Sequence, residues 1–162
     1  MAKPSVYAAL ENVEASYSDI IEIANDMLKD IEVPIDNLVD EIRSSVSSLT
    51  VESIRDYIIR LQLRAYELSE VKEKSGLKAQ CAESLRAEKH ARCFNQADGS
   101  AAVKTNIALI EASEEIVVEA LYDYIASHLK TKLDQLHRLV DSLKSILMSK
   151  MQEAKLSMSG IE

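Results

Sequence analysis

Apolar residues recur at alternating steps of three and four along most of the chain, the spacing of helices that pack along one face. In the middle of the chain the repeat is carried by Ile54, Ile58, Leu61, Ala65 and Leu68. A second repeat, nearer the C-terminus, consists of Val117, Leu121, Tyr124, Leu129, Leu133, Leu136, Val140, Leu143, Leu147 and Met151. The first repeat keeps the 3.5-residue period of a coiled coil throughout, and the second keeps it from Leu129 to Leu147. The pattern predicts an all-α protein.

The strongest interruption lies at residues 95–100, where Asp98-Gly99 is a turn signal and Ser100 can cap a following helix. Thr50 can cap the helix before this turn, and the helix after it is predicted to run from about Ala101 to Leu156 without a break. Both arms are alanine-rich near the turn and rich in leucine or isoleucine further away. Residues 50–156 are therefore expected to form a long antiparallel helical hairpin.

Two further helices are predicted at the N-terminus, within residues 1–48. The first begins at Pro4, since proline suits a first helical turn, and continues to about Leu28. The stretch Lys29–Val33 is expected to end it, and Pro34 opens a second, short helix. The whole chain, residues 1–162, is predicted to be a single helical domain.

The formal net charge is −8, and it is unevenly distributed. Residues 1–54 carry eleven acidic and three basic side chains, whereas residues 55–104 carry ten basic and seven acidic ones. The acidic N-terminal segment has three interpretations: it solubilises the helices, mimics the charge of nucleic acid, or mediates assembly. The central basic stretch is the better candidate for a binding surface.

Catalytic and metal-binding patterns are absent from the sequence. The three histidines and two cysteines lack the spacing of known metal sites, and no glycine-rich loop could cradle phosphates. Cys81 and Cys93 would lie about 18 Å apart on one helix, too far for a disulfide, and are expected to be buried or unreactive. We therefore expect no enzyme, metal or cofactor. The lack of a secretory signal and of a bilayer-spanning run indicates a cytoplasmic protein without membrane association.

The candidate nucleic-acid-binding residues cluster around the turn. They are Lys74, Lys78, Arg86, Lys89, His90, Arg92, Phe94 and Lys104. On an ideal helix, four of these cations fall within about 60° of one another, and Leu85 lies in the same sector. Positive charge beside an aromatic ring is what single-strand-binding proteins use, since cations follow the phosphates and rings stack on bases. The alternative is ordinary surface charge on a coiled coil.

The segment from about Leu63 to Leu147 resembles phage recombination mediator proteins of the UvsY type. The likeness lies in the basic stretch Lys89–Phe94, the Asp98-Gly99-Ser100 turn and the long helix that reaches Leu143-Lys144-Ser145-Ile146-Leu147. The resemblance implies a small, helical, oligomeric protein that binds single-stranded DNA and helps to load a recombinase. It also implies that Lys89, His90 and Arg92 lie at the DNA-contacting position.

The leading hypothesis is a non-enzymatic, phage-type recombination or replication accessory protein that binds single-stranded DNA and assists recombinase loading. One alternative is an anti-CRISPR-type anti-defence inhibitor that binds a host nuclease; another is a coiled-coil scaffold. The expected partners are further copies of the chain, single-stranded DNA, and a recombinase or nuclease protein. If the protein is phage-encoded, its expected location is the host cytoplasm.

Overall fold

The computed structural model describes the backbone of residues 6–159 and the side chains of residues 17–157. Its helices are α1 (Val6–Ser45), α2 (Val51–Gln96), α3 (Ala101–Glu111) and α4 (Ser113–Ser159), with one short 3₁₀ turn at Val46–Ser48. No strand occurs among the described residues. The prediction of an all-α fold is confirmed.

The N-terminal segment forms one helix, where the sequence predicts two. α1 passes through Pro34, which lies inside it. A proline within a helix removes one backbone hydrogen bond and is unfavourable by about 3 kcal/mol. The heptad spacing nevertheless continues past Pro34 through Ile35, Leu38 and Ile42, all of which are buried. Burial of these side chains, at about 1.5–3 kcal/mol each, outweighs the local preference of proline.

The predicted turn at residues 95–100 is present. α2 ends at Gln96. Gly99 has a φ of 116°, a backbone conformation that residues with a side chain rarely adopt. The helix that follows contains a break, where the sequence predicts a continuous arm. α3 ends at Glu111, Ala112 is a turn residue, and α4 begins at Ser113. The Ala112 N–H still donates to the carbonyl of Ala108, at 3.1 Å, so the interruption is confined to a single residue.

Contacts divide the chain into two compact units. The leucine unit comprises Lys29–Val71 and the described residues from His128 onward. Its buried side chains come from α1, α2 and α4, and most are leucine or isoleucine. They include Ile35, Leu38, Ile42, Ile54, Leu61, Leu68, Leu129, Leu133, Leu136, Val140 and Leu143. The predicted seams of the middle and C-terminal segments are thus largely buried here.

Polar contacts in the leucine unit define its helix directions. Tyr57 donates to Glu41 and Arg60 forms a salt bridge with the same carboxylate, which joins α2 to α1. His128 pairs with Glu32 at 2.8 Å and Lys132 with Asp36 at 2.7 Å. Both of these pairs have the same sequence separation, so α1 and α4 run parallel within this unit.

The turn unit comprises the described residues up to Leu28 together with Lys72–Ser127. Its buried side chains are small, as the alanine-rich composition predicts. They include Ala24, Ser75, Ala79, Ala82, Ala108 and Ala112, together with Leu28 and Ile125. Tyr17 and Tyr124 add an edge-to-face ring contact, with centroids 6.3 Å apart. Small side chains allow the helix backbones of this unit to approach closely.

Candidate nucleic-acid interface

The sequence-predicted binding residues all lie in the turn unit, and all except Lys104 lie on α2. They do not form one surface. Arg86 and Lys89 continue the heptad spacing of the buried Ala79 and Ala82. They therefore occupy positions that face the returning arm, where a coiled coil places its seam.

Both of these cations form salt bridges with carboxylates of α4. Arg86 Nε lies 2.6 Å from Glu119 Oε2, and Lys89 Nζ lies 2.9 Å from Glu115 Oε1. The side chains of Lys89 and Glu115 are each about a quarter exposed. The pairing is antiparallel, because Lys89 is closer to the turn than Arg86 on α2 and its partner Glu115 is closer to the turn than Glu119 on α4. Arg86 and Lys89 thus join the two arms, and each of these cations contacts a carboxylate.

The Lys89–Glu115 pair shifts the pKa values of both groups in the direction that keeps them charged. The hydrogen bond to Glu115 raises the pKa of Lys89 above its ordinary value of 10.5. The hydrogen bond from Lys89 lowers the pKa of Glu115 below 4.5, with smaller contributions that include the positive charge of Arg92. Arg92 therefore lies close enough to Glu115 for their charges to interact.

Lys74 and Lys78 are exposed on α2. The Nζ of Lys78 lies 5.0 Å from the centroid of the Tyr122 ring, which is a cation–π distance. This contact places the Lys78 ammonium group beside α4, although the residue as a whole is exposed. Lys104 lies in the first turn of α3 and is half-buried.

The aromatic part of the predicted site is assembled at the end of α2. The rings of His90 and Phe94 are stacked, with an interplanar angle of 15° and centroids 6.4 Å apart. Both side chains are half-buried, and Arg92 is exposed. Four residues span one helical turn, so His90 and Phe94 share a face near the turn. Arg92 lies two residues from each ring along α2, about 160° around the helix from both, so the exposed guanidinium and the stacked rings share the end of α2 but not one helix face.

The sequence interpretation missed the charge of the returning arm. Residues 111–123 contain five acidic side chains and no basic one, and they lie beside the basic end of α2. Residues 72–127 together carry seven basic and nine acidic side chains, a net charge of −2. The available signal was the heptad spacing from Ala108 and Ala112 to Glu115 and Glu119. That spacing places the two glutamates on the face of α4 that meets the cations of α2.

Two other sequence predictions need correction. Val117 was assigned to the seam, yet it is exposed, because Glu115 and Glu119 occupy the inward positions of this part of α4. Of the two alternatives predicted for the cysteines, buried or unreactive, burial is wrong for Cys81, which is exposed, whereas Cys93 is half-buried. No disulfide joins them in the described chain.

The described residues contain no cluster of three or more histidine, cysteine, aspartate or glutamate side chains arranged to hold a metal ion. In the same part of the chain, no helix is both long enough and apolar enough to cross a bilayer. Comparison of the chain with protein-family models, with curated proteins and with solved structures finds no match.

Proposed function

We propose that this chain is a non-enzymatic, phage-type recombination accessory protein that binds single-stranded DNA at the end of α2. The observation that carries the proposal is the pair of stacked, half-buried rings of His90 and Phe94 at the end of α2, with the exposed Arg92 between them in sequence. The resemblance to recombination mediators supports it, because Lys89–Phe94 forms part of that likeness. Assistance in recombinase loading is the corresponding role.

The chemistry of the site fits a flexible single strand. A guanidinium can donate two parallel hydrogen bonds to two oxygens of a phosphate, and an accessible ring can stack on any unpaired base. The half-exposed rings of His90 and Phe94 offer such a stacking surface. This combination favours binding with little sequence preference.

The structure limits the number of phosphates that one protomer can neutralise. With Arg86 and Lys89 in salt bridges to α4, we count Arg92, Lys78 and the half-buried Lys104 as the possible phosphate contacts of one protomer. Each neutralised phosphate contributes a slope of about −0.7 to the logarithm of affinity against the logarithm of salt concentration. Two or three contacts would give a slope of roughly −1.4 to −2.1 per protomer.

Fluorescence anisotropy with a labelled single-stranded oligonucleotide, at low and moderate salt, tests this proposal. We expect Arg92→Glu to abolish most of the binding and Phe94→Ala to weaken it. The matched control is Lys130→Glu, which makes the same charge change at an exposed position of α4 in the leucine unit. Absence of binding at low salt, or equal loss in Arg92→Glu and Lys130→Glu, would contradict the proposal.

A coiled-coil scaffold is the second candidate function. It is favoured by exposed aliphatic side chains on α3 and the start of α4, namely Val103, Ile107, Ile110, Val117 and Val118. An exposed apolar surface of this kind is typical of a protein-binding face. Size-exclusion chromatography with light scattering separates the two functions: self-association without oligonucleotide affinity would favour the scaffold. The inhibitor hypothesis stays a prediction, to be tested by pull-down from host lysate.

A further inference from the structure

α2 has a second apolar face in the turn unit, separate from the seam that packs inside the unit. Leu77 and Leu85 are each about 60% exposed, and Cys81, midway between them, is exposed as well. Together with Gln80 and Ser84 they line an open groove of about 550 Å³. The inward positions of the same helix are taken by the buried Ser75, Ala79 and Ala82. The outward face is therefore left uncovered by its own unit.

The residues along this face are arranged symmetrically about Cys81. Leu77 and Leu85 stand four residues before and after it, and Lys74 and Glu88 stand seven residues before and after it. Steps of four and seven keep all five residues within about 40° of the direction of Cys81. All five are exposed. The two apolar positions that flank Cys81 are thus both leucine, and the two charged positions that flank it carry opposite charges.

We propose that two copies of this chain pair through this face, with their α2 helices antiparallel and Cys81 on the two-fold axis. The axis places Leu77 of one copy opposite Leu85 of the other. It also places Lys74 opposite Glu88, so each dimer gains two equivalent pairs of opposite charge. A two-fold interface requires this kind of self-complementary surface.

The charges select the antiparallel arrangement over the parallel one. In a parallel pair in register, Lys74 would face Lys74 and Glu88 would face Glu88. Like charges that face each other in a coiled coil repel, and this repulsion disfavours the parallel alignment. In the antiparallel pair the same side chains attract one another, while the apolar layers are formed equally well in either case.

The interface is short, which determines how the dimer should behave. Residues 74–88 cover about 21 Å of helix, roughly two turns on each side of the axis. A seam of this length belongs among the small, transient protein–protein interfaces. We therefore expect a concentration-dependent equilibrium between monomer and dimer. The proposed interface ends at Glu88, four residues before Arg92 along α2, so dimerisation is measured without DNA and DNA binding in a separate assay.

Sedimentation equilibrium of the full chain, over a wide concentration range without DNA, provides the test. Lys74→Glu and Glu88→Lys each place like charges opposite each other, so each should raise the dimer dissociation constant about tenfold. The double variant Lys74→Glu/Glu88→Lys exchanges the two charges and should return it to near the wild-type value. Lys130→Glu again serves as the charge-matched control.

A thiol-specific cross-linker of short span, applied to Cys93→Ser, should capture a covalent dimer through Cys81, and Cys81→Ser/Cys93→Ser should give none. A chain that stays monomeric at all concentrations would overturn the proposal. A dimer that both single charge variants leave unchanged, or that the double variant fails to restore, would overturn it as well. Oligonucleotide anisotropy on the same variants reports separately on the proposed DNA contact at Arg92.

Discussion

Lys89 donates through its Nζ to both carboxylate oxygens of Glu115, at 2.9 and 3.0 Å. These two residues are 26 positions apart in sequence and meet only because the chain reverses at Gly99. Lys89 is therefore a structural link between α2 and α4. The proposed DNA contact therefore rests on Arg92, His90 and Phe94.

The first prediction concerns the pH dependence of stability. The pKa of Glu115 is lowered on folding, so its stabilisation is present above about pH 4.5 and is lost as the pH falls through the folded value. The pKa of Lys89 is raised, so its stabilisation is present below pH 10.5 and is lost as the pH rises through the folded value. Urea denaturation across this range should show a plateau with a decline at each end.

The variant Glu115→Gln isolates this pair. It removes the carboxylate, so the free energy of unfolding should fall at neutral pH and change less on acidification than it does in the wild type. The control is Asp134→Asn, an exposed carboxylate of the leucine unit. Equal acid dependence in wild type and Glu115→Gln would contradict the prediction.

The second prediction compares two glycines. Gly76 lies within α2, and a Cβ added there would meet no described atom within 4 Å. Gly76→Ala should therefore stabilise the protein by about 0.5–1 kcal/mol. Gly99 has a φ of 116°, and an added Cβ would lie 3.2 Å from Val103 Cγ1. Gly99→Ala should destabilise the protein by about 1–3 kcal/mol, and chemical denaturation of the two variants should show opposite signs.

The third prediction concerns helix capping. Ser53 donates its backbone N–H to Thr50 Oγ1 at 3.1 Å, and Thr50 donates its own N–H to the Ser53 hydroxyl at 2.9 Å. This reciprocal arrangement caps α2, so Thr50→Ala should lower the free energy of unfolding by about 1 kcal/mol. Ser100 precedes α3 in the same way, but its hydroxyl makes no capping bond to any described residue. Thermal denaturation should show a smaller effect for Ser100→Ala.

The fourth prediction tests the core of the leucine unit. Leu129 is fully buried, and Leu129→Ala should reduce the free energy of unfolding by about 2–5 kcal/mol because it leaves a cavity. Leu63 belongs to the same unit and is 61% exposed. Leu63→Ala should change stability by less than about 0.5 kcal/mol. Similar losses in the two variants would contradict the described burial.

The amino-acid sequence by itself determined the helical class, the heptad seams and the position of the turn. These features depend on local rules: apolar periodicity selects helices, Thr50 can begin one, and Asp98-Gly99 stops one. The contrast between small side chains near the turn and leucines further away was also visible in the composition. Each of these signals lies within a short window of the chain, so it could be read without knowing what packs against it.

The tertiary structure alone decided where those helices continue, which of their faces are buried and which side chains meet. Pro34 continues α1 because buried neighbours outweigh its local preference for a helix start. Val117 faces solvent, and Arg86 and Lys89 bind Glu119 and Glu115, because the register between the two arms sets which side chains meet. That register depends on the turn geometry and on the close packing of the buried alanines that adjoin these residues along the seam, and a net count of charge along the sequence carries no information about it.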